Sequence, residues 1–228
     1  MRFQDLNWMD VERYLQTDTR IMLVTGATEQ HAYLSLMTDV LIPERIALAA
    51  AEQESVLVAP PFNFGVSGYF AEFPGTISLS QITFEQVLVE LITSLFHHGF
   101  ERFFILNGHG GNAFPQRLQD MHMEGSTRIL WYDWWRENAA TQFAAELRLA
   151  GDHANWIENF PFNRVSEVPS GEKPLVNLAL IEEGLSAREV LADGSFGGPY
   201  QIDDALMQTL FARVVTEVVK RLRDLREL

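Results

Sequence analysis

Short apolar runs alternate along the chain with longer stretches in which apolar residues recur at helical spacing, the pattern that βαβ units write into a sequence. Strands are predicted at 21–25, 56–59, 103–106 and 128–132, and helices at 9–15, 42–54, 83–97 and 113–123. Thr83 with Gln86 has the form of a capping box, Leu88, Leu91, Ile92 and Leu95 repeat behind it on one face, and Gly99 is the expected stop. Two further helices are predicted, over 134–149 and over 203–228; in the second, Leu206, Leu210, Val214, Val218 and Leu222 share a face. The stretch 151–200 is less periodic and holds many Gly and Pro residues, so long loops with one helix at 176–183 are expected there. The fold class is α/β, in one domain over 1–228 with no linker inside it.

Composition narrows the function. With 47% hydrophobic and 21% charged residues the chain has the makeup of a folded globular protein. Seventeen Lys plus Arg against 31 Asp plus Glu give a net charge of −14, which disfavours nucleic acid and anionic membrane as partners. There is no cysteine, so any metal must be held by His, Asp and Glu. The start carries Asp5 and no long apolar stretch, so neither a signal peptide nor an anchor is expected, and a cytoplasmic protein is the default.

Two clusters stand directly behind predicted strands, where α/β sheets keep their chemistry. The first is Glu29-Gln30-His31, followed by Thr38-Asp39; the second is Asn107-Gly108-His109-Gly110-Gly111-Asn112. If the chain leaves the first strand extended, Glu29 and His31 fall on one side. The three glycines around His109 free the backbone from bulk and permit positive φ. Asp39 can fold back toward Glu29 and His31, and a carboxylate can bridge two cations. Two imidazoles and two carboxylates form a donor set that suits zinc, manganese or iron. Taken singly, Glu29 reads as a turn cap, Asp39 as a helix cap and each His as a hydrogen-bonded polar residue. The His109 loop could also hold an anion on its amides, although it lacks the Lys and Ser/Thr of a Walker loop.

A third segment, Asp152 to Phe160, places His153 and Glu158 among aromatics. His153 is a candidate proton shuttle, and Glu158 a further ligand or general base. Ser78, behind Phe73-Pro74-Gly75-Thr76, is free to meet a substrate, and Tyr69, Gly110 and Trp156 are further candidates for substrate contact. His97, His98 and His122 read as surface or helix-end residues, and Trp131, Trp134 and Trp135 as core.

Glu29-Gln30-His31, Thr38-Asp39, Phe73-Pro74-Gly75-Thr76, Asn107 through Asn112 and His153-Ala154 with Glu158 occur in the order and approximate spacing of the creatininase family, which this chain therefore resembles from about 21 to 158. The resemblance implies a three-layer α/β/α sandwich with a mostly parallel central sheet, a binuclear metal centre, hydrolysis of small amides and a homohexamer. It implies that Glu29 and His109 bind one ion, that His31 binds the other, and that Asp39 bridges them. Where the family carries a ligand glutamate two residues after the loop histidine, this chain has Gly111, and Glu158 is the candidate replacement. Where relatives carry a Glu-His pair upstream of FPGT, this chain has Tyr69 and Phe70, which makes the pocket more aromatic. The expected function is divalent-metal hydrolysis of a non-peptide C–N bond in a cyclic amide, lactam or formamide. A catalytically idle metal-binding scaffold is the alternative. A binuclear phosphoesterase ranks last, because the three clusters contain no Lys or Arg to hold phosphate.

Overall fold

The computed structural model describes residues 1–125 and 127–227. Strands β1 (Arg20–Thr25), β2 (Leu57–Val58), β3 (Arg102–Asn107) and β4 (Arg128–Asp133) form one parallel sheet in the order β2-β1-β3-β4. Thr25, Asn107 and Asp133 stand side by side at its carboxyl edge. Helices α1 (Trp8–Leu15), α2 (Thr38–Glu54), α3 (Gln81–His97), α4 (Gln116–Met123), α5 (Asn138–Leu147) and α8 (Asp204–Glu227) cover both faces.

Side-chain alternation divides the interior. Met22, Val24, Phe104 and Leu106 face a core shared with Ile46 and Ala50 of α2, Phe143 of α5, and Val214 and Val218 of α8. Ile21, Leu23, Phe103 and Ile105 face the opposite core with Tyr14 of α1, Phe84, Leu88 and Ile92 of α3, and Leu118 of α4. Strands buried on both faces read as continuous apolar runs, which is why they were visible in the sequence. The result is a three-layer α/β/α sandwich. Truncating one such ring, Phe104→Ala for example, is expected to cost about 3–5 kcal/mol.

Element starts differ from expectation. Helix α3 begins at Gln81, because the Ser80 hydroxyl accepts the Thr83 amide proton at 3.2 Å; the cap is Ser80, not Thr83. Helix α2 begins at Thr38, ahead of the predicted 42, so Asp39 lies inside its first turn. Extended Pro115 precedes α4 and delays its start to Gln116. Trp134 and Trp135 form a turn before α5, whose first residue is Asn138. The loop-rich stretch holds α6 (Ala179–Glu182) near the predicted helix. It also holds a short hairpin of β5 (Glu172–Lys173) with β6 (Gly198–Pro199), a 3-10 turn over Trp156–Glu158, and α7 (Ala187–Leu191). The predicted end of the terminal helix at Leu228 lies outside the described residues. No helix among the described residues is long and apolar enough to cross a membrane.

Beneath the amino ends of the strands lies Arg20, 1% exposed. Its guanidinium donates to the Asp18 carboxylate at 2.7 Å and to the Leu222 carbonyl of α8 at 2.9 Å, with a Glu54 carboxylate oxygen at 3.7 Å.

Candidate metal centre

The carboxyl edge of the sheet and the first turn of α2 meet at Asp39. A helix N-terminus favours a carboxylate. Pro43 has no N–H to bond the Asp39 carbonyl, which is left facing the loop after β3. A Cβ at residue 108 would lie 2.0 Å from that carbonyl oxygen, so glycine there lets the His109 loop reach the helix. None of Gly108, Gly110 and Gly111 adopts positive φ; Gly108 and Gly111 supply space, not the unusual torsion expected of them.

Asp39 is 3% exposed and offers one oxygen to each of two histidines. Oδ1 lies 2.9 Å from His31 Nε2, and Oδ2 lies 2.8 Å from His109 Nδ1. Glu29 Oε1 stands 3.4 Å from the same His109 nitrogen, and Glu158 Oε2 stands 3.8 Å from His31 Nε2. Glu29, Asp39 and His109 thus form one convergent donor set, and His31, Asp39 and Glu158 a second that shares Asp39. Glu29 and His31 converge without the strand alternation expected of them, since residues 29–31 lie outside any strand. Instead His31 Nδ1 donates to the Glu29 carbonyl at 3.1 Å, and the backbone turns through Ala32 at φ 50°.

The outer nitrogens of these two rings fix the inner ones. His109 Nε2 faces the Val66 carbonyl at 3.1 Å and must carry the proton that bonds it, as His31 Nδ1 must toward Glu29. The inner nitrogens, His109 Nδ1 and His31 Nε2, then face carboxylates across gaps that only a proton or a cation can fill. Metal-binding histidines are commonly oriented by a backbone carbonyl in this way. Two buried atoms at the centre, His31 Nε2 and Glu29 Oε2, have no hydrogen-bond partner. Such atoms are costly unless something else coordinates them. The donor set therefore fits a divalent ion of the zinc, manganese or iron type. With protons in place of cations, burial opposes charge on His31, but Asp39, Glu158 and Glu29 overcome it and raise the imidazole to about 10. His109 is likewise lifted against burial by Asp39 and Glu29, while Asp39, despite burial, is pulled below the usual range by His31 and His109.

The far wall comes from the loops. His153 stacks on Phe70 with ring centres 4.4 Å apart and lies 5.0 Å from Phe196. Burial, reinforced by charge on His31, pushes its imidazole well below the usual value. Glu158 accepts the Ala154 amide proton at 2.6 Å, across a turn in which Ala154 has φ 54°. Burial raises Glu158 to about 7, against the pull of His31.

Between the walls is a cavity of about 700 Å³, within the range of small-molecule sites. Glu29, Asp39, His109, His153 and Glu158 open into it, as do Tyr69 and Gly110. Ser78 does not: its hydroxyl accepts the Ser67 amide proton at 2.9 Å, so it supports the wall from behind. Trp156 is also misplaced by the sequence reading. It is fully buried in the α2/α5/α8 core, and its indole N–H donates to the Ala150 carbonyl at 2.8 Å. Trp135, expected in the core, packs half-buried against it and also lines the cavity, while Trp134 is buried as expected. His97 and His98 are exposed, and His122 accepts the Ile129 amide proton at 3.0 Å. Phe196, Leu178 and Arg136 also line the cavity, and no periodic signal marked them. At Gly111 a Cβ would lie 2.2 Å from the Val66 carbonyl oxygen, so this backbone leaves no room for a side-chain ligand there.

A family model described as Creatininase: Creatinine amidohydrolase matches residues 4–222. The mycofactocin precursor peptide peptidase of Mycolicibacterium smegmatis is 37% identical over 100 residues, covering 41% of this chain and 40% of that protein. The chain spans less than half the length of the curated relatives it matches. Among solved structures, a creatinine amidohydrolase (creatininase) superposes with a TM-score of 0.78 at 20% identity, over 99% of this chain and 97% of the other. A structure described as creatininase with Mn gives a TM-score of 0.78 at 21% identity, over 99% and 98%.

Proposed function

The chain belongs to the creatininase (creatinine amidohydrolase) family, and we propose that it is a metal-dependent amidohydrolase of a non-peptide C–N bond, in a cyclic amide, lactam or formamide. The observation that carries this reading is Asp39, whose two oxygens face His31 and His109 at 2.9 and 2.8 Å. In it, Glu29, Asp39 and His109 hold one divalent ion, and His31, Asp39 and Glu158 a second. Ions held there would lower the pKa of water and polarise an amide carbonyl.

The chain's own groups do the rest. Glu158 closes the second donor set when ionised; without an ion, burial holds it at about 7 against the pull of His31, so filling that set near neutral pH would release its proton. Gly108 donates its amide to Thr25, whereas the Gly110 and Gly111 amides have no acceptor among the described residues and both glycines line the cavity, which makes these amides the candidate donors to an oxyanion in this reading. Tyr69, Phe70 and Phe196 form the aromatic side of the cavity and keep water from the substrate. The same reading places the protein in the cytoplasm as a homohexamer.

Likeness to a peptide peptidase favours a second substrate class, a short or modified peptide. The test loads metal-free protein with zinc or manganese and offers lactams, formamides, cyclic ureas and short peptides. Metal-dependent turnover of the first three supports the proposal, and turnover of peptides alone supports the second reading. No turnover with any of them would leave an idle metal-binding scaffold.

A further inference from the structure

Gln30 sits between two candidate ligands, is 6% exposed, and takes no part in either donor set. Its Oε1 accepts the Ala32 amide proton at 3.1 Å, and its Nε2 donates to the Gly194 carbonyl at 3.0 Å. The first partner can only donate and the second can only accept, so two backbone groups fix which way the side-chain amide points. The remaining N–H of Nε2 is directed at His153 Nε2, 2.8 Å away. A ring nitrogen that receives a hydrogen carries none of its own. The proton of the neutral imidazole is therefore on Nδ1, which stands 3.7 Å from Glu29 Oε1.

This is the reverse of His31 and His109. Those rings give their outer proton to a carbonyl and turn a lone pair inward; His153 receives a proton at its outer nitrogen and turns an N–H inward. The distinction matters because a His153 nitrogen lies close enough to Glu29 and His31 for the three to hold an ion. The arrangement is braced from outside. Lys173 Nζ uses its three protons on the Leu191 carbonyl at 2.6 Å, Asp193 at 2.5 Å and the Ser195 carbonyl at 2.7 Å, which pins the loop bearing Gly194.

We propose that Gln30 is a positioning residue that holds His153 in its Nδ1–H tautomer, which keeps His153 out of the metal-binding set and presents a hydrogen-bond donor to the cavity. Resting on the amidohydrolase reading, that donor would stabilise charge developing on a substrate oxygen.

Long-range proton–nitrogen spectra of protein labelled with nitrogen-15 histidine, recorded with and without zinc, test this directly. His153 is assigned by its loss in His153→Gln. The expected spectrum has a protonated Nδ1 and an unprotonated Nε2 in both states, and the pattern inverts in Gln30→Glu, whose carboxylate can only accept. A wild-type spectrum with the proton on Nε2, or with zinc on Nδ1, overturns the proposal and needs no variant to fold. An unchanged tautomer in folded Gln30→Glu does the same. Absence of metal-dependent turnover would defeat the amidohydrolase reading alone, since the tautomer is read without substrate.

Discussion

The two walls of the cavity are built differently. One consists of the segments that follow β1 and β3 and of a helix start: Glu29, His31, Asp39 and His109 are each no more than 5% exposed, and the two histidines are oriented by backbone carbonyls. The other consists of loops between 151 and 198, where His153 is held by a stacked Phe70, by Gln30 and by the Lys173 clamp. The first wall is seated directly on the sheet edge and the start of α2; the second depends on hydrogen bonds between residues distant in sequence. In the proposed reading, ion binding belongs mainly to the first wall and substrate choice to the second.

The sharpest way to break this division is His109→Ala, which removes a candidate ligand from the first wall. Elemental analysis should show lost occupancy, and activity should fall by more than the roughly 10–100-fold that an outer-shell partner costs; retained metal and full activity would refute the site. Glu158→Gln acts from the loop wall on one donor set only. Calorimetric titration should then show one binding step weakened by about 10–100-fold and the other preserved.

Acidity gives a third comparison. His31 rises to about 10 and His109 also rises when no cation separates them from the carboxylates, so metal binding near neutral pH must displace protons. Affinity should increase about tenfold per unit of pH for each proton displaced, and titration in two buffers of different ionisation enthalpy reads that number. The sign for metal-free stability is opposite. A raised folded pKa stabilises fully below the unfolded value of about 6.5. That contribution declines as pH climbs from there and is lost through about 10 for His31. Thermal melts of metal-free protein across that window should show the decline. The smallest effect is expected from Tyr69→Ala, which thins the aromatic side: KM should change by roughly tenfold with metal content constant.

How far each wall could be read beforehand follows the same divide. Strands buried on both faces write apolar runs, and acids and imidazoles behind such runs are conspicuous, so the convergence of Glu29, His31, Asp39 and His109 is legible in the sequence. Helix starts were missed where a neighbouring cap or proline shifted them, as at Ser80 and Pro115. In the loops, type alone misleads. Trp156 looks like a pocket residue beside His153, yet an indole whose N–H has found the Ala150 carbonyl is at home in a core. Gln30 was visible only as the middle letter of a motif, and its orientation depends on Gly194, which lies 164 residues away.

The buried guanidinium of Arg20 ties the beginning of the first strand to the closing turns of the last helix through the Leu222 carbonyl. Those turns work as a keystone remote from the chemistry. Cutting the polypeptide ahead of Leu222, or fusing a partner that unwinds it, would take a buried acceptor from a guanidinium that Asp18 and Glu54 would then have to satisfy and loosen the architecture from its foot, while every candidate ligand stayed in the chain.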